Sequence, residues 1–156
     1  MDTDADIDET DRQLLDALVA DGRASARELA TETGVATGTA TKRLRDLEDA
    51  GVIEGYQAEV DYAAFGYEVT AIFRLKVDGS GLSDIVDELR SHGRTIGVYE
   101  VTGDADVIAI GKFTSTDEMN EAIKRLVTHE NVRSASTSVV LDTVREYGHP
   151  PILTPE

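Results

Sequence analysis

The 156 residues contain no cysteine. This excludes disulfides, thiolate metal sites and a cysteine nucleophile, and it fits a cytoplasmic protein. No apolar run is long enough to cross a bilayer, and the opening MDTDADIDETD is acidic where a secretory leader would be basic. We expect neither a signal peptide nor a membrane partner. Lysine is scarce: four Lys and eleven Arg stand against 31 acidic residues, for a net charge of −16. The carboxylates are spread along the chain rather than gathered in a tail. A dispersed acidic surface with little lysine is expected of a protein adapted to very high salt, where hydrated carboxylates keep it soluble. At molar salt the Debye length falls to ~3 Å, so charge cannot steer partners over distance. Histidine is limited to His92, His129 and His149, none in a metal-ligand pattern with carboxylates. Asp104 and Asp106 form a carboxylate pair with no nucleophile beside them. Catalysis needs a converging site, so we expect no enzyme, no metal and no cofactor.

Against this background one stretch reverses sign. Between Arg23 and Arg45 five basic residues face two acidic ones, a net of +3, whereas the first 22 residues carry Arg12 against eight acids, a net of −7. The same stretch, SARELATETGVATGTATKRLRDLEDAG from Ser25 to Gly51, reads as two helices joined by a glycine turn. Ser25 is an N-cap candidate for the first helix, and Gly34 can end it in a left-handed conformation. The second helix is expected over about Thr37 to Ala50, closed by Gly51. Ala40, Leu44 and Leu47 share one face at i, i+4, i+7 spacing. The opposite face carries Gly38, Thr41, Lys42 and Arg45. An apolar seam opposite a small, polar, basic surface suits a helix lying in a DNA major groove. The alternative is an ordinary amphipathic helix pair with solvated cations, which the coincident positive charge disfavours.

In chain order, residues 1–6 form an acidic start expected to be disordered. Asp8 is placed to cap a helix reaching about Ala20, with Ile7, Leu14, Leu15 and Leu18 inward. After the helix pair, Val52 to Val60 reads as one or two short strands turning at Glu54-Gly55. Residues 7–60 therefore read as a winged helix-turn-helix. Residues 61–67 are the expected hinge. From Val69 to Val77 the period becomes two, which marks a strand. A helix through Leu82, Ile85, Val86 and Leu89 follows, then strands over Ile96–Thr102 and Val107–Phe113. Ser115 or Thr116 caps a second helix carrying Met119, Ile123, Leu126 and Val127, and Val132–Leu141 is the last strand. This β-α-β-β-α-β order over residues 68–144 predicts an α+β, ferredoxin-like sheet with both helices on one face. Ile72, Ile108, Ile110 and Val139 are expected on the other face, covered by a partner subunit. Residues 145–156 are a tail.

Several separated pieces now resemble the Lrp/AsnC family of feast/famine transcription regulators. They are IDETDRQLL from Ile7, Asp21-Gly22-Arg23, RLRDLEDAGVIEGY from Arg43, and VTGDAD from Val101. The scarce lysine gives the chain a haloarchaeal look. The resemblance implies a winged helix-turn-helix followed by a ligand-sensing (RAM-type) domain, homodimers that often assemble into octamers or other higher oligomers, and amino acids or related molecules bound between sensor domains. It places Gly103, Asp104 and Asp106 on the effector loop and Thr137 and Ser138 on the last strand lining the same cleft. Asp106 is expected to take an ammonium group, and its replacement by Ala to abolish an effector response without unfolding the domain. The family's usual Ser at the start of the recognition helix is Ala36 here, with Thr37 as the substitute cap. Its usual aromatic residue in the loop is Ala105.

The function expected is sequence-specific binding to double-stranded DNA, modulated by a small molecule. Thr37, Gly38, Thr39, Thr41 and Lys42 are expected at base edges, and Ser25, Arg27, Arg43 and Arg45 at phosphates or groove flanks. The competing reading is a small-molecule-binding regulator that acts on a protein partner without touching DNA.

Overall fold

The computed structural model describes residues 6–153 and divides into two units, one built on the chain up to Glu59 and the other running from Val60 to Val144. The described residues from Arg145 to Leu153 group with the first unit. Most of the expected acidic start lies outside the described residues.

The first unit holds three helices, α1 (Glu9–Ala20), α2 (Ala26–Thr33) and α3 (Thr37–Asp49). Each of the first two begins where a side chain can satisfy open N–H groups. Asp8 and Asp11 form a reciprocal capping box on α1, and Ser25 and Glu28 form one on α2. Gly34 ends α2 at φ 74°, ψ 21°. Gly51, at φ 71°, turns the chain after α3 so that the N–H groups of Val52 and Ile53 both donate to the Leu47 carbonyl. Leu14, Ala17, Leu18, Leu29, Ala30 and Ala40 bury together, with Val35, Leu44 and Ile53 packed around them. Leu14 and Leu29 are wholly buried, and burying each such side chain contributes about 1.5–3 kcal/mol.

The expected wing strands are not formed. Residues 54–60 have no ladder partner among the described residues. After Glu54-Gly55 the chain runs without a partner strand to Asp61, which caps a short 3-10 turn at Tyr62–Phe65. A lone two-stranded ribbon is also marginal in water. Tyr56 instead donates its hydroxyl to Glu48 at 2.7 Å. The segment expected to be a hinge thus has its own order, with Gly66 closing the 3-10 turn at φ 84°.

The second unit is a four-stranded antiparallel sheet in the order β2-β3-β1-β4. Its elements are β1 (Val69–Val77), α4 (Leu82–Ser91), β2 (Thr95–Glu100), β3 (Val107–Phe113), α5 (Thr116–Thr128) and β4 (Val132–Val139). Alternation fixes the faces. Ala71, Phe73, Leu75 and Val77 of β1 and Val107, Ala109 and Phe113 of β3 pack against Ile85 and Leu89 of α4 and Met119, Ala122 and Leu126 of α5. Both helices therefore cover one face. Ile72, Ile108 and Ile110 lie on the other, half-buried, with Tyr99 beside them 53% exposed. Val139 was expected among them, but it pairs with Ala71 and so shares the helix-covered side. It stays 48% exposed because β4 is an edge strand.

Candidate nucleic-acid interface and effector loop

The helix-turn-helix brings α3 onto α2 with its buried seam, Ala40 and Leu47, against the core. Thr37, Gly38, Thr39, Lys42 and Arg45 are exposed and Thr41 is half-buried. The Thr41 hydroxyl donates back to the Thr37 carbonyl at 2.9 Å, so what it offers outward is chiefly its methyl. Lys42 pairs with Asp46 one turn on at 2.5 Å. An exposed pair of this kind is worth little and leaves the ammonium free to move. Thr37 does not cap α3: it is the first helical residue, and Ala36 occupies the cap position with no side-chain bond. The first N–H groups of α3 therefore remain open to water or an anion.

Two residues expected at phosphates are committed inside the fold. The Ser25 hydroxyl donates to Glu28 Oε2 at 2.8 Å and accepts from the Glu28 N–H. The Ser25 N–H and hydroxyl hold the Glu28 carboxyl below its ordinary range, so a carboxylate sits at the start of α2. Arg43 donates from Nη1 to Asp8 at 2.7 Å and to Asp11 at 2.8 Å. It ties α3 to the capping box of α1, and Asp11 is a buried carboxylate that needs the cation. The mutual pull raises Arg43; the Asp11 N–H and then Arg43 lower Asp8. The pattern of alternating Lys/Arg at Lys42, Arg43 and Arg45 gave no sign that the middle one turns inward. Arg23, Arg27 and Arg45 make no salt bridge among the described residues.

On the sensor unit, Gly103 turns the β2–β3 hairpin at φ 107°, and Asp104 is exposed. Asp106 has a structural task. Its Oδ2 accepts from the Val77 N–H at 2.8 Å, and its own N–H donates to the Leu75 carbonyl at 2.9 Å. This secures the end of β1 where its register with β4 shifts between Lys76 and Val77. Asp106 therefore has a structural task beside the effector role expected of it, and its replacement carries a cost to the fold as well. Thr137 and Ser138 are adjacent on β4 and so face opposite sides. Thr137 pairs with Phe73 on the helix-covered side, and Ser138 pairs with Ile72 on the open side, where it accepts from Arg74 at 2.9 Å. One chain does not bring the pair and the loop together: β1 lies between β3 and β4.

A second constellation, which sequence reasoning missed, lies where α4 ends and α5 passes. Arg94 donates from Nε to Glu118 and from Nη1 to the Tyr67 hydroxyl, both at 2.5 Å. Its guanidinium also lies 5.0 Å from the centre of the Tyr67 ring. Glu118 further accepts from the Thr114 N–H and hydroxyl, and these bonds, with Arg94, hold its carboxyl at about 2. Tyr67, Arg94 and the local Thr114–Glu118 pair come from three stretches far apart in sequence, so no single motif announces the constellation. Among the described residues no group of His and carboxylates could hold a metal, and no helix is long and apolar enough to cross a membrane.

An amino-terminal helix-turn-helix with an open, small-residue recognition face, followed by a ferredoxin-like domain, defines a DNA-binding regulator with a sensor module. Residues 7–54 match the family model for winged helix-turn-helix DNA binding, and residues 70–150 match the Lrp/AsnC ligand-binding domain. An HTH-type transcriptional regulator of Pyrococcus furiosus is 38% identical over 141 residues, covering 90% of this chain and 95% of the relative. Among solved structures, the feast or famine regulatory protein of M. tuberculosis, complexed with L-methionine, superposes with a TM-score of 0.86 at 29% identity, over 93% of this chain and 99% of that one. E. coli AsnC gives a TM-score of 0.83 at 25% identity, over 92% and 97%. The chain belongs to the Lrp/AsnC family of transcription regulators. It is a DNA-binding regulator, not an enzyme.

Proposed function

We propose that the protein reads a specific DNA site through the N-terminal half of α3 and changes its assembly or affinity when an amino acid binds at the sensor domain. The observation carrying this reading is the exposed, short-side-chain face Thr37-Gly38-Thr39, set in a stretch of net charge +3 in an acidic chain. Thr37, Gly38, Thr39, Thr41 and Lys42 approach base edges, and Arg27 and Arg45 flank the groove. Arg43 and Ser25 hold the helices in place instead. The open sheet face with Ile72, Ile108, Ile110 and Tyr99 is the surface through which two copies join, and dimers then assemble further. Two-fold symmetry favours a pseudo-palindromic site with half-sites about one helical turn, or a multiple, apart.

The effector reading is supported by the M. tuberculosis neighbour, whose structure contains L-methionine. Gly103 and Asp104 present backbone and carboxylate to such a ligand, and Thr137 or Ser138 reaches it only from a neighbouring copy. The acidic, lysine-poor composition supports a protein working in the cytoplasm at high salt. The haloarchaeal character rests on composition alone, since the relatives compared come from Pyrococcus and bacteria.

The test is fluorescence anisotropy with the protein's own upstream DNA and a scrambled duplex, in about 2 M KCl because affinity depends steeply on salt. Saturable binding to a specific duplex, lost in Lys42→Ala/Arg45→Ala while sedimentation shows unchanged assembly, is expected. Undiminished binding by that double variant removes α3 from the interface.

A further inference from the structure

We infer that the groove bounded by the end of α4, the start of β2 and α5 binds a small dianion, a carboxylate or a phosphate, and that occupancy loosens the tyrosine pair at the start of the second unit. The groove encloses about 510 Å³ and is lined by His92, Gly93, Arg94, Phe113, Glu118, Glu121 and Arg125. That volume suits a small ligand.

Its charge is unevenly spent. Glu118 is satisfied by Thr114 and Arg94, and Glu121 pairs with Lys124 at 2.7 Å. Arg125 makes no salt bridge among the described residues; its Nη2 lies 2.5 Å from His92 Nε2. A guanidinium has donors only, so Nε2 is the acceptor in that contact, while the Arg94 N–H lies 3.3 Å from Nδ1 of the same ring. Burial, then Arg125, then Arg94 push the His92 imidazole below its usual range, and Glu88 and Glu118 oppose them less. Arg94 uses Nε and Nη1, leaving Nη2, and Arg125 has most of its fork available. Two guanidinium forks at one groove fit the paired oxygens of a dianion.

Arg94 also reaches outside the groove. It bonds and stacks on Tyr67, which meets Tyr62 edge-on at 6.0 Å. Tyr62 and Tyr67 lie at the start of the second unit, on and just after its 3-10 turn. An anion that draws the Arg94 fork inward competes with the Tyr67 hydroxyl and frees the ring pair.

The test uses the full chain in about 2 M KCl, where loose ion pairing is screened. Sodium succinate and inorganic phosphate are titrated separately by calorimetry, and ring-labelled tyrosine is followed by NMR. One saturable site per chain is expected, and the tighter of the two probes identifies the ligand's chemistry. Arg125 is exposed, so Arg125→Ala is expected to keep the fold and lose affinity about tenfold or more, with Arg125→Lys recovering part. The Tyr67 signal is expected to move with saturation. Asp104→Ala is expected to bind as the parent does. No saturable binding of either probe, unchanged affinity in Arg125→Ala, or loss in Asp104→Ala overturns the groove site. Saturation with Tyr67 unmoved overturns the coupling. No readout uses DNA, so the result stands apart from the DNA-binding experiment.

Discussion

Gly38 is the second residue of α3, exposed, and a Cβ built there meets nothing within 4 Å. Its φ is not in the left-handed region. Nothing inside the chain requires glycine at this position. Glycine costs a helix interior about 0.5–1 kcal/mol relative to alanine, and near the first turn the lower end applies. Gly38→Ala should therefore stabilise the free protein by about 0.5 kcal/mol, which moves a urea midpoint up by ~0.25 M for a slope near 2 kcal/mol/M. DNA binding should change the other way. A methyl forced into a filled interface costs about 1–3 kcal/mol, or a ~5- to 150-fold weaker Kd. The assay is a urea melt and an anisotropy titration on the same preparation. Raised stability with unchanged affinity would refute the placement of this face against DNA. Lowered stability would refute the claim that the chain has room for the methyl.

Gly34→Ala should destabilise by about 1–2 kcal/mol, the cost of a left-handed L-residue, with Gly34→Asn recovering part; Gly22→Ala, whose φ is not in the left-handed region, should be near neutral. Asp106→Ala should cost about 1–2 kcal/mol by urea melting, because the Val77 N–H loses its acceptor, whereas Asp104→Ala should stay within about 0.5 kcal/mol. Equal losses would remove the structural role assigned to Asp106. Glu118 is held at about 2 against an ordinary 4.5. Its contribution to stability is complete above pH ~4.5 and lost as pH falls toward 2. Carboxyl-detected NMR should show this late titration, and Arg94→Gln should raise it; a midpoint near 4 in the parent would contradict the contacts drawn for it.

The helices and strands were legible because each carries its own period and its own stop. Alternation from Val69 to Val77 fixed which side of β1 is buried, and Ser25, Gly34 and Gly51 marked the helix ends before any packing was known. What escaped notice was non-local. Whether Arg43 reaches outward or back to Asp8 and Asp11 depends on where α1 lies, more than thirty residues away. Asp106 reads as a hairpin carboxylate until β1 is seen to end beside it. Thr137 and Ser138 came as a pair from the family resemblance, and adjacent strand residues part to opposite faces, so one chain presents only one of them to any cleft. The winged helix-turn-helix was legible, but its short strands were not formed for a related reason: apolar residues after Gly51 permit strands, and a strand exists only with a partner.

The inward turn of Arg43 bears directly on how binding should depend on salt. Each phosphate neutralised by a cation contributes about −0.9 to the slope of log K against log salt. If Arg27, Lys42 and Arg45 are the contacting cations, each chain contributes roughly −2.7, and replacing Arg45 by Ala should flatten that by about 0.9 per chain. Arg43→Ala removes the same formal charge but one already neutralised by Asp8 and Asp11. It should weaken binding through the fold while leaving the slope nearly unchanged. Anisotropy titrations of the parent and both variants at several KCl concentrations, each variant checked for folding by circular dichroism, separate the two cases. A slope that flattens equally for both would mean that Arg43 swings from α1 to the phosphates on binding. A slope unaffected by Arg45 would mean that affinity rests on the fit of the Thr37-Gly38-Thr39 face alone, the term that survives where molar salt has removed most of the electrostatic one.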